Sequence, residues 1–274
     1  MERPRPPEQT SNLETLTPEE QKTLDQFRSQ VPGHWEDQLL VRFLRARKFD
    51  MVKTTEMFNK YLAWRAENDV DNIGTFEFTE VNAVKEIYPH GFHKTDKFGR
   101  LIYIERYGLI NMDRIHQITT EERLIRYYIK EYESMVKIRI PACCRAAGVP
   151  VEQSLTILDL GGSSTKLMKK SVYNFVKLAS SIAQDYYPEI LGKMFIVNSP
   201  TLFSMAWKVI KPWIDERTQK KITIEGSKYQ KKLLELVDAQ NLPDFLGGTC
   251  VCRGGCLNCD PGPWRDETGC LISY

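Results

Sequence analysis

Ser154 and Thr156 stand two residues apart in the segment Ser154-Leu-Thr-Ile-Leu-Asp-Leu160, whose apolar content and length read as a β-strand. Strand alternation puts Ser154, Thr156, Leu158 and Leu160 on one face, and Leu155, Ile157 and Asp159 on the other. In Leu101-Ile-Tyr-Ile-Glu-Arg-Tyr107 the same rule groups Leu101, Tyr103, Glu105 and Tyr107 opposite Ile102, Ile104 and Arg106. A parallel sheet covered on both faces should be almost uniformly apolar. Hydroxyls and a carboxylate on such strands therefore point to a polar-lined pocket on one face, where they can hydrogen-bond a ligand. The alternative is that they bond neighbouring backbone, or that these strands lie at an edge.

No set of residues fits covalent chemistry. Asp159-Leu-Gly-Gly-Ser-Ser164 resembles a strand-to-loop phosphate site but lacks both glycine-rich spacings, so a polar turn is the preferred reading. His34, His90, His93 and His116 show no metal-ligand spacing on one helix, and Ser204 is not in a nucleophile elbow. Cys250-x-Cys252-x3-Cys256-x2-Cys259 offers four thiols, which is one zinc ligand set. Its first spacing is tighter than a usual zinc knuckle and glycines fill the loop, so free thiols on a surface loop, with no metal, are expected. Cys143 and Cys144, beside Pro141, are expected to be buried packing residues.

One segment is too greasy for a surface helix. In Leu202–Ile214 (LFSMAWKVIKPWI) apolar side chains cover most of the circumference, interrupted by Ser204, Lys208, Lys211 and Pro212. Either a large core surrounds it or one side faces something apolar that is not protein.

The elements that must position these groups follow from caps and periodicity. Residues 1–12 are proline-rich and polar and are expected to be a disordered tail. Thr17-Pro18-Glu19-Glu20 reads as a capping box opening a helix, followed by helices over about Trp35–Ala46 and Met51–Asn68. Beyond Val81 strands at Leu101–Tyr107, Leu155–Leu160, Met194–Asn198 and Lys221–Glu225 alternate with helices at Thr119–Arg139 (stopped by Pro141), Lys169–Tyr187, the apolar stretch and Tyr229–Val237. That order predicts an α/β fold with a mainly parallel sheet. The domain plan is a tail over 1–12, a helical lobe over 13–80, an α/β lobe over 81–249, and a Cys-rich loop with a C-terminal tail over 250–274.

Composition narrows the function classes. With 274 residues, 42% of them hydrophobic and 27% charged, the chain has the make-up of a folded protein. A formal charge of +2 argues against nucleic acid as a partner. No apolar run is long enough to span a bilayer, the N-terminus lacks the apolar stretch of a secretory signal, and Cys270 stands one position too far from the end for prenylation. Seven cysteines make an awkward disulfide framework, so a reducing, cytoplasmic compartment is expected.

Several ordered segments share one resemblance. LVRFLRARKFD at 40–50, WRAENDV at 64–70, FHKTDKFGR at 92–100, EYES at 131–134 and IPACCRAAG at 140–148 resemble the Sec14-like phosphatidylinositol/phosphatidylcholine transfer proteins. So do QDYYPEILGKMFIVNSP at 184–200, GSKYQKKLL at 226–234, NLPDFLGG at 241–248 and GPWRD at 262–266. The resemblance implies the CRAL-TRIO fold, an N-terminal helical lobe, and no catalysis. It implies that Arg47, Lys48, Glu189 and Lys221 bind the phosphatidylinositol headgroup, and that Ser154, Thr156, Tyr103 and Tyr132 coordinate phosphatidylcholine. Leu202, Phe203, Trp207, Ile210 and Trp213 then belong to a gate that closes over acyl chains and opens at a membrane.

The chemistry agrees with that division. A phosphoinositide phosphate calls for charge-assisted bonds from Arg47, Lys48 or Lys221, whereas Glu189 suits inositol hydroxyls or the orientation of Lys221. Neutral hydroxyls serve a zwitterionic headgroup, with a Tyr103 or Tyr132 ring offered to the quaternary ammonium. The implied cofactor is none beyond the bound phospholipid. The implied partners are phospholipid, a transient membrane surface and a phosphoinositide kinase receiving the lipid. The chain is expected to be monomeric and peripheral on Golgi or endosomal membranes. A lipid-regulated sensor for a protein partner is the competing reading.

Overall fold

The structure is a computed structural model that describes residues 13–163, 169–266 and 271. The expected tail over 1–12 and the Cys270 motif lie outside them. Thr17 caps α1 (Pro18–Gln30): its Oγ1 accepts from the Glu20 amide at 3.2 Å, while Glu20 Oε2 accepts from the Thr17 amide at 2.9 Å. Helices α2 (Asp37–Ala46) and α3 (Met51–Glu67) complete the first helical group. Its core is aromatic: Phe58 meets Phe27, Trp35 and Phe43 edge-on, with ring centroids 5.0–5.5 Å apart.

A short helix α4 (Val81–Ile87) leads to β1 (His90–Thr95) and β2 (Leu101–Glu105). Helices α5 (Met112–Ile118), α6 (Glu121–Ser134) and α7 (Ile140–Ala147) carry the chain to β3 (Ser154–Asp159). Helix α8 (Lys170–Tyr186) joins it to β4 (Leu191–Val197). Helices α9 (Phe203–Ile210) and α10 (Glu216–Lys221) precede β5 (Ile222–Ile224), and α11 (Gln230–Leu236) follows. The sheet order is β1-β2-β3-β4-β5; only β1 and β2 pair antiparallel. No helix among the described residues is long and apolar enough to cross a membrane.

Strand alternation sorts the sheet into two unlike faces. Ile102, Ile104, Leu155, Ile157, Phe195 and Val197 pack under α11 and the following segment, forming a solid core with Tyr229, Leu233 and Leu246. The other face carries Tyr103, Glu105, Ser154, Thr156, Leu158 and Met194, and it looks into a cavity. Sequential strand order with one crossover hand brings successive connecting helices to the same side. Accordingly α6, α8 and α9 wall the cavity opposite these residues.

Three sequence expectations need correction. The helix expected to stop at Pro141 continues: Met135–Arg139 forms a π-helical turn and Pro141 sits in the first turn of α7. The wider turn shifts the carbonyl that a proline ring would strike in a regular helix. Strand β1 (His90–Thr95) precedes the first of the expected strands and is not among them. Tyr107 leaves the strand and opens a 3-10 turn over Tyr107–Leu109.

Candidate functional site

The cavity has a volume of about 1110 Å³, slightly above the roughly 300–1,000 Å³ of ordinary small-molecule sites. Its walls include apolar side chains such as Leu158, Leu160, Val176, Met194, Ile196 and Phe203. Charged residues gather where α2, α10 and the turn before β4 meet it: Arg47, Lys48, Glu189, Arg217, Lys220 and Lys221.

All four residues assigned to the inositol headgroup line the cavity. Lys221, 7% exposed, closes α10 just before β5, with Nζ 3.3 Å from Glu189 Oε2 and donating to the Leu191 carbonyl at 2.8 Å. Arg217 Nη1 lies 3.2 Å from Glu189 Oε1 and donates to the Arg45 carbonyl at 3.0 Å. Glu189 is thus the hub of a two-cation cluster tying α10 to the end of α2. Through this contact Glu189 holds the Lys221 ammonium at the cavity wall. Lys48 (φ 54°) and Glu189 (φ 62°) both adopt left-handed backbone. Such conformations cost of order 1–3 kcal/mol for a non-glycine residue and cluster at ligand sites. Arg217 was not among the assigned headgroup residues; only its place on the basic helix end signalled it.

Ser154, Thr156, Tyr103 and Tyr132 also face the cavity. Ser154 and Thr156 are buried, and Ser154 Oγ makes one long contact, 3.5 Å to the Ile190 carbonyl. Tyr132 stacks on Tyr187 with centroids 4.5 Å apart. The polar interior extends beyond the four assigned residues. Buried Glu105 accepts from the Tyr128 hydroxyl, and Tyr107, Tyr127 and Glu131 share the wall. Burial pushes the carboxyls of Glu105 and Glu131 above their ordinary range, and it drives the Tyr103, Tyr107 and Tyr128 hydroxyls well up. Glu105 was visible in the strand alternation; Tyr127, Tyr128 and Glu131 lie on a helix whose sequence gave no sign of which face lines a void.

The apolar stretch divides its two sides. Phe203, Trp207, Ile210 and Trp213 line the cavity, and Leu202 does not. Leu202, Met205 and Val209 form an outward ridge, 65%, 58% and 49% exposed. The helix is shorter than expected, ending at Ile210 in a 3-10 turn, Lys211–Trp213, that contains Pro212. Trp207 and Trp213 therefore face inward in this conformation, and Met205 and Val209 were the exposed groups that sequence reasoning passed over.

The remaining chemical candidates resolve differently. Asp159 accepts from the Gly161 amide and from Asn198 Nδ2, both at 2.8 Å, and lies 3.5 Å from Arg106. This turn is held by its own polar groups on the face away from the cavity. The C-terminal cysteines are free and lie on an exposed loop, as expected, with Val251, Arg253, Gly254 and Gly255 outward, but their side chains turn inward: Cys250 and Cys256 are buried, and Cys252 and Cys259 are half-buried. Cys143 is buried as expected, while half-buried Cys144 bonds the Val151 backbone through sulfur.

The helical lobe is bolted to the cavity wall. Trp64 stacks on Tyr186 at 3.9 Å, and Arg65 Nη1 lies 2.9 Å from Glu133 Oε1, which also accepts from Tyr187 at 2.8 Å. Arg139, from the π turn, bonds Asp260 at 3.1 Å and lies over the Phe92 ring. Asp260 in turn accepts from the indole of fully buried Trp264 at 3.0 Å, which gives the GPWRD segment a structural purpose.

Fold and site together define a class: an α/β chamber, solid behind its sheet and hollow in front, braced by an N-terminal helical group. The chain belongs to the CRAL/TRIO family, with residues 85–248 matching the CRAL/TRIO domain and residues 13–60 matching the CRAL/TRIO, N-terminal domain. It is 46% identical over 258 residues to "Sec14 cytosolic factor" of Schizosaccharomyces pombe, covering 92% of this chain and 90% of that protein. It is 40% identical over 258 residues to "Phosphatidylinositol/phosphatidylcholine transfer protein SFH12" of Arabidopsis thaliana, covering 90% of this chain but 48% of that protein. The chain thus spans about half of this longer plant relative. Among solved structures, the crystal structure of Sfh5 superposes with a TM-score of 0.61 at 19% identity, covering 79% of this chain and 83% of that one, which supports the fold.

Proposed function

We propose that this protein binds phosphatidylinositol and phosphatidylcholine in its cavity and exchanges them between membranes without covalent chemistry. The observation that carries the reading is one chamber holding two different polar sets, with the Lys221–Glu189–Arg217 cluster at one end and the Ser154 and Thr156 hydroxyls on its buried floor. A phosphate monoanion suits the cations. The hydroxyls, tyrosine rings and Glu105 suit a zwitterionic headgroup with a quaternary ammonium. The name of the Arabidopsis relative, a phosphatidylinositol/phosphatidylcholine transfer protein, supports the same ligands.

Energetics explain why a carrier is needed. Two acyl chains with about 30 methylenes lose roughly 20–25 kcal/mol of favourable burial when exposed to water. A closed apolar chamber removes that penalty, and an opening confined to the interface prevents loss in transit. Helix α9 is the gate in this reading. Its outward ridge of Leu202, Met205 and Val209 meets the bilayer, Lys208 and Lys211 approach anionic headgroups, and the hinges fall at Asn198–Pro200 and Pro212. The reading also keeps the division into a helical lobe over 13–80, a lipid lobe over 81–249 and a C-terminal segment over 250–274. It places a monomeric chain transiently on Golgi or endosomal membranes, where it makes phosphatidylinositol available to a kinase.

The test is transfer of labelled phosphatidylinositol and phosphatidylcholine between donor and acceptor vesicles. Movement of both lipids, unaltered in mass, supports exchange. Binding without movement would replace it with a lipid-regulated sensor, and conversion of either lipid to a new product would replace it with an enzyme.

A further inference from the structure

The imidazole of His93, on β1, is fully buried, and its two nitrogens have unlike surroundings. Nδ1 lies 3.0 Å from the Cys256 carbonyl, an acceptor only, so this nitrogen carries the proton and donates. Nε2 is left with a lone pair and has no hydrogen-bond partner among the described residues. A buried acceptor left bare costs about 1–3 kcal/mol. The thiols of Cys250, Cys252 and Cys256 gather beside the same imidazole; these three sulfurs and a His93 ring nitrogen all lie within 4.8 Å of one another.

From this we infer that His93, Cys250, Cys252 and Cys256 form a closed structural site for a thiophilic divalent cation, with zinc as the fitting ion. Three sulfurs and one imidazole are a complete tetrahedral set for zinc, leaving no open position for a substrate. Cys250 Sγ and Cys252 Sγ are 3.7 Å apart. Sulfurs at the corners of a zinc tetrahedron, each about 2.3 Å from the ion, stand roughly 3.8 Å apart, whereas bonded sulfurs stand about 2.05 Å apart. The hydrogen bond from Nδ1 to a backbone carbonyl is the usual support that fixes a ligating imidazole and raises its basicity. Lys94 Nζ, 3.1 Å from Cys250 Sγ, favours the thiolate that a metal requires.

The chain is shaped to deliver these ligands. Gly254 and Gly255 both adopt positive φ, 88° and 92°, a reversal that side-chain-bearing residues rarely make. It returns Cys256 to the sulfurs of Cys250 and Cys252 across the tight Cys-x-Cys step. The site pins the C-terminal segment along β1, the edge strand of the sheet, where Lys94 also donates its amide to the Pro261 carbonyl at 2.6 Å. The cysteine spacing alone offers Cys259 as the fourth ligand; the fold instead brings His93, 163 positions before Cys256, to the three sulfurs.

The experiment is elemental analysis of the full chain purified from zinc-supplemented cells, together with cobalt substitution of the chelator-stripped protein. About one zinc per chain is expected. Cobalt should give the thiolate charge-transfer band and the strong visible bands of a tetrahedral centre. Chelation should lower the melting midpoint, and zinc should restore it. His93→Gln and Cys250→Ser paired with Cys256→Ser should each lose at least ~10-fold in zinc content; Cys259→Ser, outside the four, should retain it. If the ligand variants do not fold, the wild-type cobalt spectrum and the reversible melting shift still decide. Wild-type protein without bound zinc and without a zinc-dependent shift would overturn the site, as would a disulfide among these cysteines found after alkylation of the unreduced chain. Zinc kept by His93→Gln but lost by Cys259→Ser would overturn the ligand assignment.

Discussion

Replacing Lys221 with alanine separates the two lipids on one protein. Lys221 is nearly buried and holds its ammonium between Glu189 Oε2 (3.3 Å) and the Leu191 carbonyl (2.8 Å), facing the cavity. In the proposed complex that ammonium also serves the lipid phosphate. A hydrogen bond to a charged group contributes about 1.5–3 kcal/mol, so phosphatidylinositol affinity should fall roughly 10- to 150-fold. The Ser154 and Thr156 hydroxyls are untouched, and phosphatidylcholine transfer should change little. Stability should survive because Glu189 keeps Arg217 at 3.2 Å. The cost then stays below the about 3–5 kcal/mol of an orphaned buried charge. Transfer of both labelled lipids is measured on one preparation, with its melting midpoint recorded. Parallel loss of both lipids at an unchanged midpoint would refute the assignment of Lys221, and so would undiminished phosphatidylinositol transfer.

Other perturbations probe the remaining parts. Ser154→Val combined with Thr156→Leu removes two neutral hydroxyl contacts of about 0.5–1.5 kcal/mol each; phosphatidylcholine transfer should drop ~5- to 150-fold with phosphatidylinositol transfer retained, and unchanged phosphatidylcholine movement would misplace that headgroup. Met205→Asp with Val209→Asp alters two exposed side chains, each contributing about 1–2 kcal/mol when buried in a bilayer. Vesicle binding and transfer should fall at least ~10-fold while the lipid content of the dissolved protein stays constant; a transfer rate equal to wild type would dismiss the outer ridge as the membrane contact. His90 tests acid stability: burial, reinforced by Lys85, lowers its pKa to about 3, with its nitrogens 2.7 Å from the Tyr88 carbonyl and 3.0 Å from the Tyr127 hydroxyl. An unfolded histidine gains its proton near pH 6.5, so between about 6.5 and 3 the unfolded chain binds more protons and stability rises with pH. Acidification through that window should cost up to ~1.4 kcal/mol per pH unit from this residue, and denaturant titrations of His90→Gln should show a slope shallower by that amount; an identical slope would contradict the burial argument.

Local signals carried much of the fold. The Thr17 capping box and the two-residue alternation in β2 and β3 are short-range physics, and both appear as read. Ser154 and Thr156 stood out because a hydroxyl on an otherwise buried strand needs a reason. The elements that escaped notice depend on distant partners. Strand β1 carries His90, His93 and Lys94, a polar sequence made tolerable by Tyr127, the cysteine segment and backbone carbonyls far along the chain. Pro141 reads as a stop because periodicity does not reveal the π turn before it. Arg217 becomes a site residue only when α10 is set beside Glu189 and Arg45. On α9 the apolar excess was legible, but the division between inward tryptophans and an outward Met205–Val209 ridge follows from where the cavity lies.

The central claim is that the hollow in front of the sheet is a seat for one phospholipid molecule. Native mass spectrometry after incubation with vesicles containing phosphatidylinositol, phosphatidylcholine, phosphatidylethanolamine and phosphatidylserine tests it directly. The protein should emerge carrying one phosphatidylinositol or one phosphatidylcholine, with the Lys221→Ala protein shifted almost wholly to phosphatidylcholine. A chain that emerges empty, or that takes up the four lipids in proportion to their abundance, would contradict the claim.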